Sequence, residues 1–105
     1  MASRDILDSG SLTIPANGNA AGAWVPSQGL RDIVALLKLP VSGVNAVIQE
    51  SDDSNNVLYE WYFTAGTTSG TYRVALQPGA SVLRLYATSS NATSTQVYYA
   101  IRALG

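Results

Sequence analysis

The sequence contains no cysteine and no histidine. Without cysteine there can be no disulfide framework, no zinc–thiolate site and no thiol nucleophile. That absence is silent on compartment, because a cysteine-free domain suits either redox environment. Without histidine the chain lacks the commonest general base, the commonest transition-metal ligand and the side chain that titrates near neutrality. Lysine occurs once, as Lys38, which leaves little for a Ser/Lys pair. Carboxylates, Ser, Thr and Tyr remain, and their spacing shows no nucleophile–base pair. The sequence therefore predicts no catalytic residue, no metal site and no cofactor.

Charge is scarce as well. Only 12% of residues are charged and the net charge is −1. The five arginines and one lysine are scattered from Arg4 to Arg102 and form no basic run, so nucleic acid is not an expected partner. No apolar run approaches the ~20 residues of a membrane span. The opening Met1–Asp8 is polar and mixed in charge, unlike the basic-then-apolar order of a signal peptide. The expectation is a protein made and folded in a cytoplasm, with no membrane partner. The glycosylation sequon Asn91-Ala92-Thr93 is discounted on the same ground. A low-charge surface rich in Ser, Thr, Asn, Gly and Ala fits two cases: a neutral solvated surface, or one covered in the working state.

What is present is a series of short apolar or alternating runs separated by turn residues, the pattern of an all-β chain. Its 105 residues suit one domain, which buries roughly two-thirds of its unfolded surface. Strands are expected at Leu12–Ile14, Ala21–Val25, Leu30–Leu39, Val44–Ser51, Val57–Thr64, Tyr72–Leu76, Ser81–Thr88 and Gln96–Leu104. Turns at Pro15–Asn19, Val41–Gly43, Asp52–Asn56, Ala65–Gly70, Gln77–Ala80 and Ser89–Ser94 separate them. Leu30–Leu39 also carries helical spacing at Leu30, Ile33, Val34 and Leu37. Its shortness, the stop at Pro40 and the β character of its neighbours favour a strand. A strand apolar on both faces belongs at a sheet centre, its second face covered by a loop or a partner. About eight strands at this spacing predict an antiparallel two-sheet β-sandwich, jelly-roll-like. Residues 1–105 read as one domain, with 1–10 as an N-terminal arm or a disordered end.

Several residue groups invite a functional reading. Glu50, Asp52 and Asp53 cluster at a strand end, but their spacing does not match a calcium loop, so they read as a solvated acidic turn. Tyr59, Trp61 and Phe63 share one strand face and read as core. Tyr62 lies on the other face, as does one of Tyr98 and Tyr99, and these suit an interface. Arg73, Arg84 and Arg102 lie within strands. Arg73 and Arg84 would be cross-strand neighbours if Pro78-Gly79 closes a hairpin. The arm could pack Ile6 and Leu7 on a neighbouring subunit. The resulting interface set is Arg4, Ile6, Leu7, Tyr62, Arg73 and Arg84.

Larger features run in a definite order. An apolar strand ends in Pro40, then come Ala46-Val47-Ile48-Gln49-Glu50-Ser51-Asp52-Asp53 and a Trp-bearing strand. Gly70-Thr71-Tyr72-Arg73-Val74, Leu83-Arg84-Leu85 and Val97-Tyr98-Tyr99-Ala100-Ile101 follow. From Leu30 to Leu104 this order resembles small β-sandwich proteins of tailed-bacteriophage virions. In those proteins a strand runs into a Ser-Asp-Asp-Gly turn with a Trp close behind. Here Ser54 takes the place of the glycine, and Trp61 lies further on. The resemblance implies a virion structural protein, assembled in the host cytoplasm. Its first form is a capsid decoration (cement) protein that bridges capsomers. Its partner would be the major capsid protein or another virion protein, and it would form a homo-oligomer, with a trimer favoured. A tail or baseplate component is the alternative within that class. A carbohydrate-binding β-sandwich module is the alternative from another class, and would show two or three coplanar aromatics on one exposed face. An enzyme is the weakest option.

Overall fold

The computed structural model describes residues 6–63 and 68–103. Among them are nine strands and no helix: β1 (Ile6–Ile14), β2 (Asn19–Ala21), β3 (Val25–Pro26), β4 (Ile33–Leu39), β5 (Val44–Ser51), β6 (Tyr59–Tyr62), β7 (Gly70–Leu76), β8 (Val82–Ser89) and β9 (Thr95–Ala103). They form a four-stranded sheet in the order β1-β9-β4-β7 and a five-stranded sheet in the order β2-β8-β5-β6, with β3 also paired to β8. Every pairing is antiparallel. Apart from the β2–β3 and β5–β6 steps, each connection carries the chain from one sheet to the other. That alternation is the jelly roll, two Greek keys wrapped into a sandwich.

The ambiguous segment is a strand, β4, at the centre of its sheet. It pairs with β7 on one side and β9 on the other, which satisfies its backbone on both edges. Ile33, Ala35, Leu37 and Leu39 point into the sandwich and are buried. Val34, Leu36 and Lys38 point outward.

Three elements differ from the sequence pattern. Ile6–Gly10, read from the sequence as an arm or a disordered end, is the first half of β1 and pairs with β9 across a bulge at Leu7. Residues 1–5, with Arg4, lie outside the described residues. The run expected at Ala21–Val25 splits into β2 and β3, with Gly22–Trp24 between them. Gly22 N–H still donates to Leu85 O at 2.9 Å, so the break stays tethered to β8. Pro78-Gly79 does not close a hairpin. It carries the chain from β7 in one sheet to β8 in the other, and Arg73 and Arg84 consequently sit in different sheets.

Both inner faces meet in one apolar cluster, centred on Ile14, Ile33, Leu37, Ile48, Leu85, Val97 and Ile101. At one end of the sandwich Asn91 ties three turns together. Its carbonyl accepts from Asn17 N–H at 2.9 Å, and its Nδ2 donates to Ser42 O at 2.9 Å and Thr95 Oγ1 at 3.1 Å. Gly43 has φ +89°, and a Cβ there would collide with the Asn91 side chain. This turn therefore requires glycine.

Leu85 is fully buried on β8 and touches the cluster from the middle of the five-stranded sheet. Leu85→Ala is expected to lower the unfolding free energy by about 2–5 kcal/mol. Urea denaturation would show this as a lower midpoint at unchanged slope.

Candidate functional site

The acidic cluster at the end of β5 is built into the fold. Glu50 points between the sheets and is 3% exposed. Its Oε1 accepts from the backbone N–H groups of Gly79 at 2.8 Å and Ala80 at 3.0 Å. Its Oε2 accepts from the Trp61 indole Nε1–H. Asp52 meets the next residue of the β7–β8 connection, its Oδ1 accepting from Ser81 N–H at 2.9 Å and Ser81 Oγ–H at 3.0 Å. Asp53 closes its own loop, accepting from Asn55 N–H at 2.9 Å and Asn56 N–H at 2.8 Å through Oδ1, and from Asn56 Nδ2 at 2.7 Å through Oδ2. Glu50 and Asp52 thus hold consecutive residues of that connection, while Asp53 serves its own loop. Ser54, where the resembling proteins carry glycine, has φ +60°, so the glycine-like backbone is kept without the glycine.

The backbone N–H of Asn56 chiefly, then that of Asn55, then the side chains of Asn56 and Ser51 hold the Asp53 carboxyl well below the usual carboxylate range. At the opposite edge of the sandwich, the Tyr99 hydroxyl donates to Asp8 Oδ2 at 2.8 Å. Burial, then the Asp8 carboxylate, push the Tyr99 phenol up to about 12. Tyr99 is therefore the inward member of the Tyr98/Tyr99 pair and Tyr98 the outward one.

The remaining candidates divide between the two outer faces. On the five-stranded sheet, two rows run across the strands. Ala21, Tyr86, Val47 and Tyr62 are successive cross-strand partners. Two residues along, Arg84, Gln49 and Glu60 are partners in the same way. The second row is hydrogen-bonded throughout: Arg84 Nε donates to Gln49 Oε1 at 2.9 Å, and Gln49 Nε2 donates to Glu60 Oε2 at 2.8 Å. The Arg84 guanidinium lies 4.3 Å from the Trp24 ring centroid and 5.6 Å from that of Tyr86, within cation–π range.

The four-stranded sheet presents a different surface. Val34 and Leu36 of β4, Ala75 of β7 and Ala100 of β9 form its middle, with Tyr98 beside them and Ile6 at the β1 edge. Lys38, Arg73 and Arg102 occupy paired positions on this face, and none of its described paired positions is a carboxylate. Arg102, across from Val34, has its Nε buried with no hydrogen-bond partner among the described residues.

Of the interface set, Tyr62 and Arg84 share the first face, and Ile6 and Arg73 share the second. Leu7 packs against the core, turned inward by the bulge. The aromatic row of β6 is only partly core: Phe63 is buried and Trp61 packs on the cluster, but Tyr59 is 58% exposed. Short β6 is an edge strand, which leaves Tyr59 at the rim. Sequence reasoning placed Val34 and Leu36 on the second apolar face of their strand, to be covered by a loop or a partner, but did not single out Gln49 and Glu60 as a pair. Same-face spacing at i and i+2 in Val47/Gln49, Glu60/Tyr62 and Arg84/Tyr86 was visible, but which strands lie side by side was not.

No known protein family matches the sequence, and no curated protein matches it. Solved structures do share the fold. The PBSX exported protein XepA is similar over 98% of this chain at TM-score 0.64 and 15% identity, and the match covers 37% of XepA. The infectious bursal disease virus VP2 subviral particle matches all of the chain at TM-score 0.59 and 10% identity, over 33% of its own length. The enzymatically active domain of bacteriophage CBA120 tailspike protein 4 matches 99% of it at TM-score 0.58 and 16% identity, over 17% of its length. The jelly roll is common to all of them. This chain spans about a third or less of each.

Two predictions follow from the buried and looped carboxylates. Glu50→Ala leaves three N–H donors unanswered and is expected to cost about 3 kcal/mol or more in urea denaturation. A loss near zero would show that the carboxylate is dispensable. The folded-state depression of Asp53 means its contribution is complete above the ordinary carboxylate range and is lost as pH falls below about 4. Thermal melts across pH 2–6 should therefore show a steeper acid loss for the wild type than for Asp53→Asn.

Proposed function

We propose that this chain is a non-catalytic structural protein of a virion, acting as a capsid decoration protein that docks on the shell through its four-stranded sheet. The observation that carries this reading is the character of that sheet's outer face. Its central strand is apolar on both sides, yet no third layer covers it among the described residues. Leu36, Ala100 and Tyr98 form an apolar centre over a buried Val34, and Lys38, Arg73 and Arg102 supply positive charge, with Asp32 at the end of the sheet beside Gln77. Such a face suits a partner that presents apolar contact ringed by carboxylates. The buried, unpartnered Nε of Arg102 is a standing cost that a carboxylate docked on the same guanidinium would offset.

Other support is consistent in kind. The fold is shared with phage proteins and a viral capsid protein, and the order of motifs resembles virion β-sandwich proteins. The sequence has no histidine or cysteine and a single lysine, which favours binding over catalysis. In this reading the partner is the major capsid protein, and the chain acts as a closed homo-oligomer, a trimer first. Many modest contacts then add through multivalency. A tail or baseplate component would use the same face on a different virion protein.

Calorimetry of particles assembled with and without the chain tests this reading. Decorated particles are expected to disrupt at higher temperature. Leu36→Asp, a half-buried position on the outer face, should abolish particle binding while the free chain keeps its melting temperature. Absence of the chain from purified particles, or unchanged binding by Leu36→Asp, would overturn the proposal.

A further inference from the structure

The two rows on the five-stranded sheet form an amphipathic track at right angles to the strands. Neighbouring strands lie about 4.8 Å apart, so each row spans about 10 Å from β8 to β6. Alternate residues along a strand set the rows about 7 Å apart. One rail is apolar: Tyr86 and Tyr62 stand at its ends, and Val47 between them is 8% exposed. Tyr62 itself is 66% exposed.

The other rail is polar and already ordered. Gln49 is 5% exposed and is held from both sides, by Arg84 at 2.9 Å and Glu60 at 2.8 Å. Trp24 fixes the far side of Arg84. Three long side chains are thereby immobilised before any ligand arrives, which removes an entropy cost that binding would otherwise meet. These internal bonds use only part of the available groups. The Nη groups of Arg84 have no hydrogen-bond partner among the described residues, and Glu60 Oε1 accepts only a long 3.3 Å bond from Tyr62. The rail therefore ends in a fork of donors at β8 and an acceptor at β6.

A ligand matched to this track needs a flat apolar face beside an edge of groups that both donate and accept. A pyranose ring has that form: C–H bonds on its face and hydroxyls around its edge. We infer that the outer face of the five-stranded sheet binds a linear, uncharged glycan laid across the strands, its rings on Tyr86 and Tyr62 and its hydroxyls on Arg84 and Glu60. A single-stranded nucleic acid would also stack on the rings. Glu60 within the track and a net charge of −1 oppose a phosphate backbone. This site lies on the opposite side of the sandwich from the docking face proposed above and stands independently of it.

The test is a ¹H–¹⁵N NMR titration of the whole chain with cellohexaose, xylohexaose, maltohexaose and chitohexaose. The two tryptophans provide separate indole signals. At least one hexasaccharide is expected to give saturable shifts at the Trp24 indole and the Gln49 side-chain amide, with the Trp61 indole unmoved. Tyr62→Ala, at an exposed position that leaves the spectrum dispersed, should weaken that binding about tenfold. Tyr98→Ala on the opposite sheet should leave it unchanged. Failure of all four probes to move Trp24 would overturn the inference. So would equal binding by Tyr62→Ala, or shifts on this face produced only by a protein partner or by oligothymidylate.

Discussion

Glu50 takes a carboxylate into the space between the sheets, where an unanswered charge would be prohibitive. Its oxygens are answered by two backbone N–H groups of the β7–β8 crossover and by the indole of Trp61 on β6. Three segments distant in sequence must therefore meet at one point. The crossover is held against the end of β5, so β8 enters beside it, while Leu58 N–H, bonded to Glu50 O at 2.8 Å, leads β6 in on the other edge. With β8 and β6 thus placed on either side of β5, residue 49 falls between Arg84 and Glu60. The polar row on the outer face is a direct consequence of the carboxylate on the inner face.

Inner faces of a sandwich answer to the core, whereas outer faces are relieved of that demand. Their composition reflects what they meet outside. The two outer faces of this protein are unequal. One has an apolar centre and only cationic paired positions, the character of a protein-docking surface. The other pairs exposed rings with a pre-ordered polar row, the character of a surface for a ligand with one apolar and one polar side. A chain held on a particle by the first face would present the second to the surroundings, so the two readings are compatible while each rests on its own observations.

Much of the fold was legible in the sequence, because strands are marked by alternation and turns by Gly, Pro, Asn and Asp. Leu30–Leu39 could be read as a central strand from its two apolar faces and from Pro40. The start of β1 was hidden, since Asp8-Ser9-Gly10-Ser11 has little β propensity and pairs only because β9 supplies an edge. Sheet assignment was hidden for a different reason. Pro78-Gly79 has the residues of a hairpin turn, but Glu50 captures the N–H groups that follow and sends the chain to the other sheet. Any property that depends on strand neighbours went the same way. Arg73 and Arg84 looked adjacent and are in different sheets, while Arg84, Gln49 and Glu60 looked unrelated and form one row.

Hydroxyl-radical footprinting of the chain on intact particles tests the division of labour between the faces most directly. Leu36 and Tyr98 should be protected relative to the free chain, and Tyr62 and Tyr86 should stay as reactive as in solution. Protection of Tyr62 and Tyr86 with Leu36 and Tyr98 left reactive would contradict the account, because the particle would then be gripped by the face assigned to the glycan.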